Sequence, residues 1–254
     1  MSQTASKPSP HEVTTLDLLK TLAVVLMIAD HIGLYVLPGN DVLRILGRPA
    51  AIIFGFLIGH SPSTRIPPSW IGLGLGLTLL NGWLLPRDPD QAIDILIGLA
   101  LTRAVMPLFD RLYDTHPLTL VPAGVGLALL AEPLNQYLEY GSEVTLVALL
   151  GLAVRRNSGT REQIAGRDAI ALVALVAMSL IALRHFEFAG WLAAGCTAII
   201  AVTILLLAQF QRTTITGPRW LVPLLRFGGH NSLWIYAVHV AALIIGTWWV
   251  NEAE

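Results

Sequence analysis

The sequence predicts an all-α protein, a polytopic membrane bundle of about nine transmembrane helices, with eight and ten as the neighbouring counts. Three observations point there. Of the 254 residues, 54% are hydrophobic and 13% charged, against roughly 25% charged in an ordinary soluble domain. Mean hydropathy is +0.66. The apolar residues also fall in blocks, and a helix needs about 20 of them to cross a bilayer. Strands are not expected, because lipid admits only helices and closed barrels and the runs lack barrel alternation.

The blocks, read in chain order from apolar runs and their breakers, are 16–37, 42–59, 70–85, 92–109, 118–131, 144–154, 169–183, 189–208 and 231–250. The fifth and sixth are the weakest. The sixth holds only about 11 uninterrupted apolar residues, which suits a short, tilted or re-entrant segment. Residues 1–15 are polar, contain Pro8 and Pro10, and lack the apolar core and small-residue cleavage site of a signal peptide. They read as a disordered cytoplasmic tail, and 16–254 as one transmembrane domain without internal repeats. A net charge of −1 implies no nucleic-acid partner. The single Cys196 excludes a disulfide framework, and no metal is expected.

Basic residues in short loops set orientation. The connection 155–168 carries Arg155, Arg156, Arg161 and Arg167, and the loop before the last span carries Arg212, Arg219 and Arg226. Both are expected inside. The stretch 132–143 has no Lys or Arg and is expected outside, as is the turn at 184–188. Counting back places the N-terminus inside and the C-terminus outside. In the first half Arg65, Arg87 and Arg111 are spread evenly and add little.

Ionisable residues inside spans are functional candidates, since each costs a few kcal/mol at the bilayer centre. The first span holds Lys20, Asp30 and His31. Lys20 and His31 are eleven residues apart. That is about three turns, so they share a face at a separation of roughly 16–17 Å. Asp30 points about 100° away from His31. It needs a partner on another helix, either an imidazole or a basic residue such as Arg48 or Arg103. In the second span Arg44 and Arg48 share a face, and Gly55 and Gly59 form a GxxxG spacing suited to close helix approach. The fourth holds Asp94 and Arg103 on one face; the last holds a polar stripe of Ser232, Tyr236 and His239. His230 is placed at the membrane surface.

Each residue also has a plainer reading. Lys20 can snorkel to headgroups, His31 can be a satisfied core histidine, Asp30 and Arg103 can be structural ion-pair partners, and Asp94 can be a helix-end charge. Chemically, a histidine with a nearby carboxylate is a general base near neutral pH. Basic residues at a pore mouth suit a phosphorylated donor such as coenzyme A. No HExxH, Gly-rich phosphate loop or GxSxG elbow occurs.

The stretch from Leu19 to Gly33, followed by Val42–Gly59, resembles the opening of the TraX family. Met27, Asp30, His31 and Ile32 match its Met-x-x-Asp-His-Ile motif; Arg44, Gly47, Arg48 and Phe54 match the motif that follows. Pro49 is displaced, and Ala51–Ile53 replaces the usual Phe-Pro. Gly229, Ser232, Tyr236 and His239 resemble the family's ending. The resemblance implies a multi-pass inner-membrane acetyltransferase within the transmembrane acyltransferase superfamily. In that superfamily a basic residue, usually Arg, precedes the first-helix histidine by Lys20's spacing. Acetyl-CoA is then the acyl donor, and a protein N-terminus or an envelope sugar the acceptor. His31 is expected as general base, with Asp30 beside it as the second catalytic residue. Lys20, Arg44, Arg48, Arg103, Ser232, Tyr236 and His239 are expected to hold donor or substrate. The competing readings are a small proton-coupled transporter or permease using buried Asp, His and Arg, and a structural membrane partner of a larger assembly.

Overall fold

A computed structural model describes residues 12–85, 92–186, 188 and 190–253. It is an all-α membrane bundle, as expected. After a short strand β1 (Glu12–Thr14) come α1 (Thr15–His31), α2 (Asp41–Gly47), α3 (Pro49–His60), α4 (Pro68–Leu84) and α5 (Ile95–Thr115). Then follow α6 (Leu120–Asn135), α7 (Glu143–Arg156), α8 (Arg161–Phe186), α9 (Trp191–Ala208), strand β2 (Thr214–Thr216) and α10 (Leu221–Ala253). Because α2 and α3 run on as one segment across Arg48–Pro49, the described residues contain nine helical segments. Six are long and apolar enough to cross a membrane: Thr15–Val36, Asp41–His60, Pro117–Asn135, Arg161–His185, Trp191–Ala208 and Leu221–Glu252.

The fifth block, weak in sequence, is therefore one of the six. The segments of α4, α5 and α7 are not. α5 carries Arg103, Asp110, Arg111 and Asp114 along its length. α7 has only 14 residues. Its shortness follows from its place, because every residue from Glu143 to Ala153 is buried. A helix that never meets lipid is apolar all round and need not match the bilayer. The outer helices show the opposite pattern. Leu79 of α4 and Leu129 of α6 are 73% and 76% exposed, an apolar surface that only a bilayer would cover.

Glycine sets the central contact. A Cβ on Gly59 of α3 would lie 1.8 Å from the Ala148 carbonyl oxygen of α7, and one on Gly55 would lie 2.8 Å from that of Val144. From the other side, a Cβ on Gly151 would lie 2.1 Å from the Phe56 carbonyl oxygen. The two backbones touch because neither helix carries a side chain at the crossing, as the GxxxG spacing anticipated.

Two boundaries differ from the sequence reading. Residues 1–11 of the expected tail lie outside the described residues, but Glu12–Thr14 is strand, paired antiparallel with Thr214–Thr216. Thr14 then caps α1 in a reciprocal box with Asp17. The last helix begins at Leu221, ten residues before the expected start at 231. Gly228 and Gly229 lie inside the helix, before the expected start. They are where α10 closes on α1, since a Cβ there would come within 3 Å of Thr21 and Asp17 respectively. Thr21 Oγ1 donates to the Leu225 carbonyl at 2.8 Å, and Arg226 donates to that of Glu12 at 2.6 Å.

Gly59→Ala is expected to lower the melting temperature in detergent by the equivalent of about 1–3 kcal/mol, as overpacking does. Gly76→Ala, with open space around the new methyl, should leave it unchanged or raised. Equal effects at the two positions would contradict the α3–α7 crossing described here.

Candidate functional site

A cavity of about 720 Å³ lies between α1, α3, α5, α7 and α10. Lys20, His60, Arg155 and Arg212 line one end; Asp30, His31, Glu139 and Tyr140 line the other. Lys20 and His31 share the wall of α1, as their spacing predicts. Phe54, Leu57, Leu96 and Leu99 make the apolar sides between the two ends.

Asp30 is 5% exposed and does not meet its neighbour His31. Its Oδ1 takes the guanidinium of Arg48 Nη2, and Arg44 Nη1 approaches the same oxygen at 3.0 Å. Arg44 also donates to the Asp30 carbonyl at 3.3 Å, and Arg48 Nε donates to the Arg44 carbonyl at 2.9 Å. One carboxylate on α1 thus holds two arginines from the segment of α2 and α3. Gly47 permits the approach, because a Cβ there would fall 2.2 Å from the Asp30 Cβ. Directly after His31 the helix loosens into a π-turn, Ile32–Val36, a departure common where helices build sites.

His31 pairs with a histidine on α10. Its Nδ1 lies 2.7 Å from His239 Nε2, and His239 Nδ1 lies 2.7 Å from the Ile235 carbonyl oxygen. The carbonyl only accepts, so His239 must carry its proton on Nδ1. A neutral His239 then offers a lone pair at Nε2, and His31 must donate to it from Nδ1. The unprotonated atom of His31 is Nε2, which has no hydrogen-bond partner among the described residues. This is the tautomer a general base requires.

Tyr236, also on α10, has its ring centroid 6.2 Å from that of His31. Its hydroxyl donates to Asp94 Oδ2 at 2.7 Å, while Asp94 Oδ1 accepts from the Leu96 backbone at 2.9 Å. Asp94 is therefore the helix-end charge of the plainer reading, capping α5, and a tie to α10 as well. Ser232 lies on the cavity wall one turn before Tyr236.

Three expected ligand-holding residues fall outside the lining. Arg44 and Arg48 are engaged with Asp30, and His239 stands behind His31. They support the wall from the second layer, because their polar atoms are already committed there. Arg103 does not pair with Asp30. It lies over the Trp70 ring at 4.7 Å and donates to the Arg65 carbonyl at 3.3 Å. His230 is exposed and 4.0 Å from Asp17.

The turn before α7 supplies two cavity residues that the sequence reading missed. Leu138 bridges to Ile93 in parallel register, which folds the stretch after α6 back toward α5. Glu139 Oε2 accepts from the Ile95 backbone at 3.1 Å. Tyr140 adopts φ 61°, a left-handed conformation seldom taken by a bulky side chain and often found at functional sites. Glu139 is half-buried and lines the cavity. Burial first, and then the Asp94 charge, push its carboxyl up to about 7. The visible signal was the absence of Lys and Arg in 132–143; nothing in the pattern said the turn folds inward.

Residues 15–74 match the model of the family described as TraX protein. A protein of Rickettsia prowazekii (strain Madrid E), described as uncharacterized, is 52% identical over 54 residues. The match spans 20% of this chain and 22% of that relative. No solved structure matches. The chain is TraX-like over the segment that carries Lys20, Asp30, His31, Arg44 and Arg48.

Two outcomes are expected at this site. Asp30→Asn leaves two arginines without their buried counter-charge and should cost about 3–5 kcal/mol, read as a fall in melting temperature. An unchanged melting temperature would contradict the clamp. For Glu139 the raised carboxyl means that the folded state holds its proton more tightly than the unfolded chain does. Stability should therefore fall as pH rises from the ordinary glutamate range through about 7. Melting between about pH 5 and pH 9 should lose part of that slope in Glu139→Gln.

Proposed function

We propose that the chain is a membrane-embedded acyltransferase. It moves an acetyl group from acetyl-CoA to a protein N-terminus or an envelope sugar, with His31 as general base. The observation that carries this reading is the continuous cavity with His31 at one end, in the tautomer that leaves Nε2 unprotonated, and basic side chains at the other. The TraX-like segment supports it, since that segment contains both Lys20 and His31.

In this reaction the acceptor's N–H or O–H proton passes to His31 Nε2. The acceptor's lone pair attacks the thioester carbonyl, the C–S bond breaks, and the departing sulfur takes the proton back from Nε2. His239 Nε2 accepts from His31 Nδ1 throughout and stabilises the transient imidazolium. Asp30, held by Arg44 and Arg48, fixes the helix from which His31 projects. The apolar walls at Leu96 and Leu99 exclude water that would compete for the acyl group. Lys20 meets the donor from the opposite end. The membrane is a bacterial-type inner membrane, with the N-terminus and the Lys20 end on the cytoplasmic side, where acetyl-CoA is made.

Membranes carrying the protein and acceptor should release CoA thiol from acetyl-CoA. His31→Ala should slow release by about 100- to 10 000-fold, the usual contribution of a general base. Equal release by wild type and His31→Ala would overturn the mechanism.

A further inference from the structure

We propose that Tyr140 is a further catalytic residue of this site: its hydroxyl donates to the acyl carbonyl oxygen of the donor as negative charge builds there. The role rests on the acyl-transfer reading and adds the group that receives this charge. When the acceptor's lone pair bonds to the carbonyl carbon, the C=O π pair moves onto oxygen. That oxygen becomes the strongest hydrogen-bond acceptor between the apolar walls. Tyr140 donates to it without giving up its proton. As the pair returns, the C–S bond breaks and the hydrogen bond weakens again.

The backbone holds Tyr140 where a tyrosine is strained. Its φ of 61° is one that glycine or asparagine takes far more readily. Hydrogen bonds on both sides fix it there. The Glu139 backbone donates to the Ile93 carbonyl at 2.9 Å and that of Gly141 to the Leu138 carbonyl at 2.7 Å. The carbonyl of Tyr140 itself accepts from the Glu143 backbone at 2.9 Å. Strain of this kind persists only where the surroundings over-determine it, and it gathers at functional sites. What the turn achieves is to set a phenol on the cavity wall, at the end shared by Asp30, His31 and Glu139.

Among the described lining residues, Tyr140 carries the hydroxyl at that end which is free to donate. Tyr236 Oη is committed to Asp94. Ser232 stands seven residues before His239, about 10 Å along α10, and so nearer the Lys20 end. Asp30 is a carboxylate held by two arginines. Tyr140 Oη makes no hydrogen bond among the described residues. Unlike Tyr113 Oη, it is not one of the sealed polar atoms without a partner, so it opens on the cavity that Tyr140 lines. Burial raises its phenol above the ordinary tyrosine range, against the pull of Arg48. The group therefore keeps its proton at neutral pH and serves as a donor. A donor set in place before the charge develops is worth far more than water, which must reorganise.

The test compares wild type, Tyr140→Phe and His31→Ala as full-length proteins in nanodiscs. With acceptor present, Tyr140→Phe should lower kcat for thiol release from acetyl-CoA by about 100- to 1000-fold, the usual loss of one oxyanion donor, with KM unchanged. Its melting temperature should match wild type, because the hydroxyl holds nothing in the resting protein. A second readout separates chemistry from structure. The acetyl-CoA analogue with a methylene in place of the thioester sulfur binds without reacting, and its ketone can carry a carbon-13 label. The infrared stretch of that bound ketone should lie at lower frequency in wild type than in Tyr140→Phe, since a hydrogen bond weakens C=O. The same ketone band in both proteins, or a wild-type rate in Tyr140→Phe while His31→Ala is slowed, would overturn the role of Tyr140 and leave the acyl-transfer reading standing. Failure of wild type to bind the analogue, or equal thiol release by wild type and His31→Ala, would remove that reading and this role with it.

Discussion

The Asp30 carboxylate and the two guanidinium groups it holds are the contact on which the site depends. A lone carboxylate or arginine is expensive away from water, and a pair is tolerable only with good geometry and further hydrogen bonds. Here Arg48 is bonded to both the Asp30 carboxylate and the Arg44 carbonyl, and Gly47 lets the backbone reach Asp30. Neutralising charge in this way joins α1 to the segment of α2 and α3. The next residue, His31, is thereby aimed about 100° away, toward α10 and the cavity. Asp30 and His31 are neighbours in sequence, so the clamp at one fixes the rotation of the helix that carries the other.

A second set of ties closes the bundle around that clamp. α10 reaches α1 through His239 to His31 and reaches α5 through Tyr236 to Asp94. α5 reaches the turn before α7 through the Ile95 backbone and Glu139. α7 returns to α3 through the glycine crossing. Each tie joins segments far apart in sequence, so the cavity forms only when the whole bundle has assembled. The two centres of the bundle differ in kind. The α3–α7 crossing is buried and close because glycines meet backbone there. The His31 side is polar and carries titratable groups on several elements.

Much of this was legible in the sequence. Apolar blocks gave the bundle class because bilayer thickness sets block length. The Lys20–His31 spacing gave one cavity wall, since helical period alone decides which residues share a face. Gly55 and Gly59 marked a close crossing, and Asp30 was seen to need a partner from another helix, an imidazole or a basic residue such as Arg48. The partners themselves were less legible. His31 meets His239 across 208 positions, and no local period encodes that pairing. Arg103 was a reasonable partner for Asp30 by charge, but Trp70 and the Arg65 carbonyl hold it elsewhere. Glu139 and Tyr140 were hidden because a backbone bridge to Ile93, which depends on tertiary assembly, turns them inward. The start of α10 at Leu221 was missed because Gly228 and Gly229 lie within it where it touches α1, a contact that only tertiary assembly shows.

Lys20 shows why the mouth must be considered as a group of residues. An ammonium on a flexible stem attracts phosphate but does not orient it. Were α1 the only source of positive charge, a long donor would be held loosely and its reactive end would sample many positions around His31. Fixing both ends of such a ligand converts its flexibility into a defined approach, and that gain grows with the rigidity of the groups that hold it. Arg103 over Trp70 and Arg155 on the Ser61 carbonyl are held in this way, and Arg212 stands on a loop whose backbone is tied to Thr15. On the proposed reading, guanidinium groups on other elements would orient the donor, and the first helix would contribute only charge at one end and the base at the other.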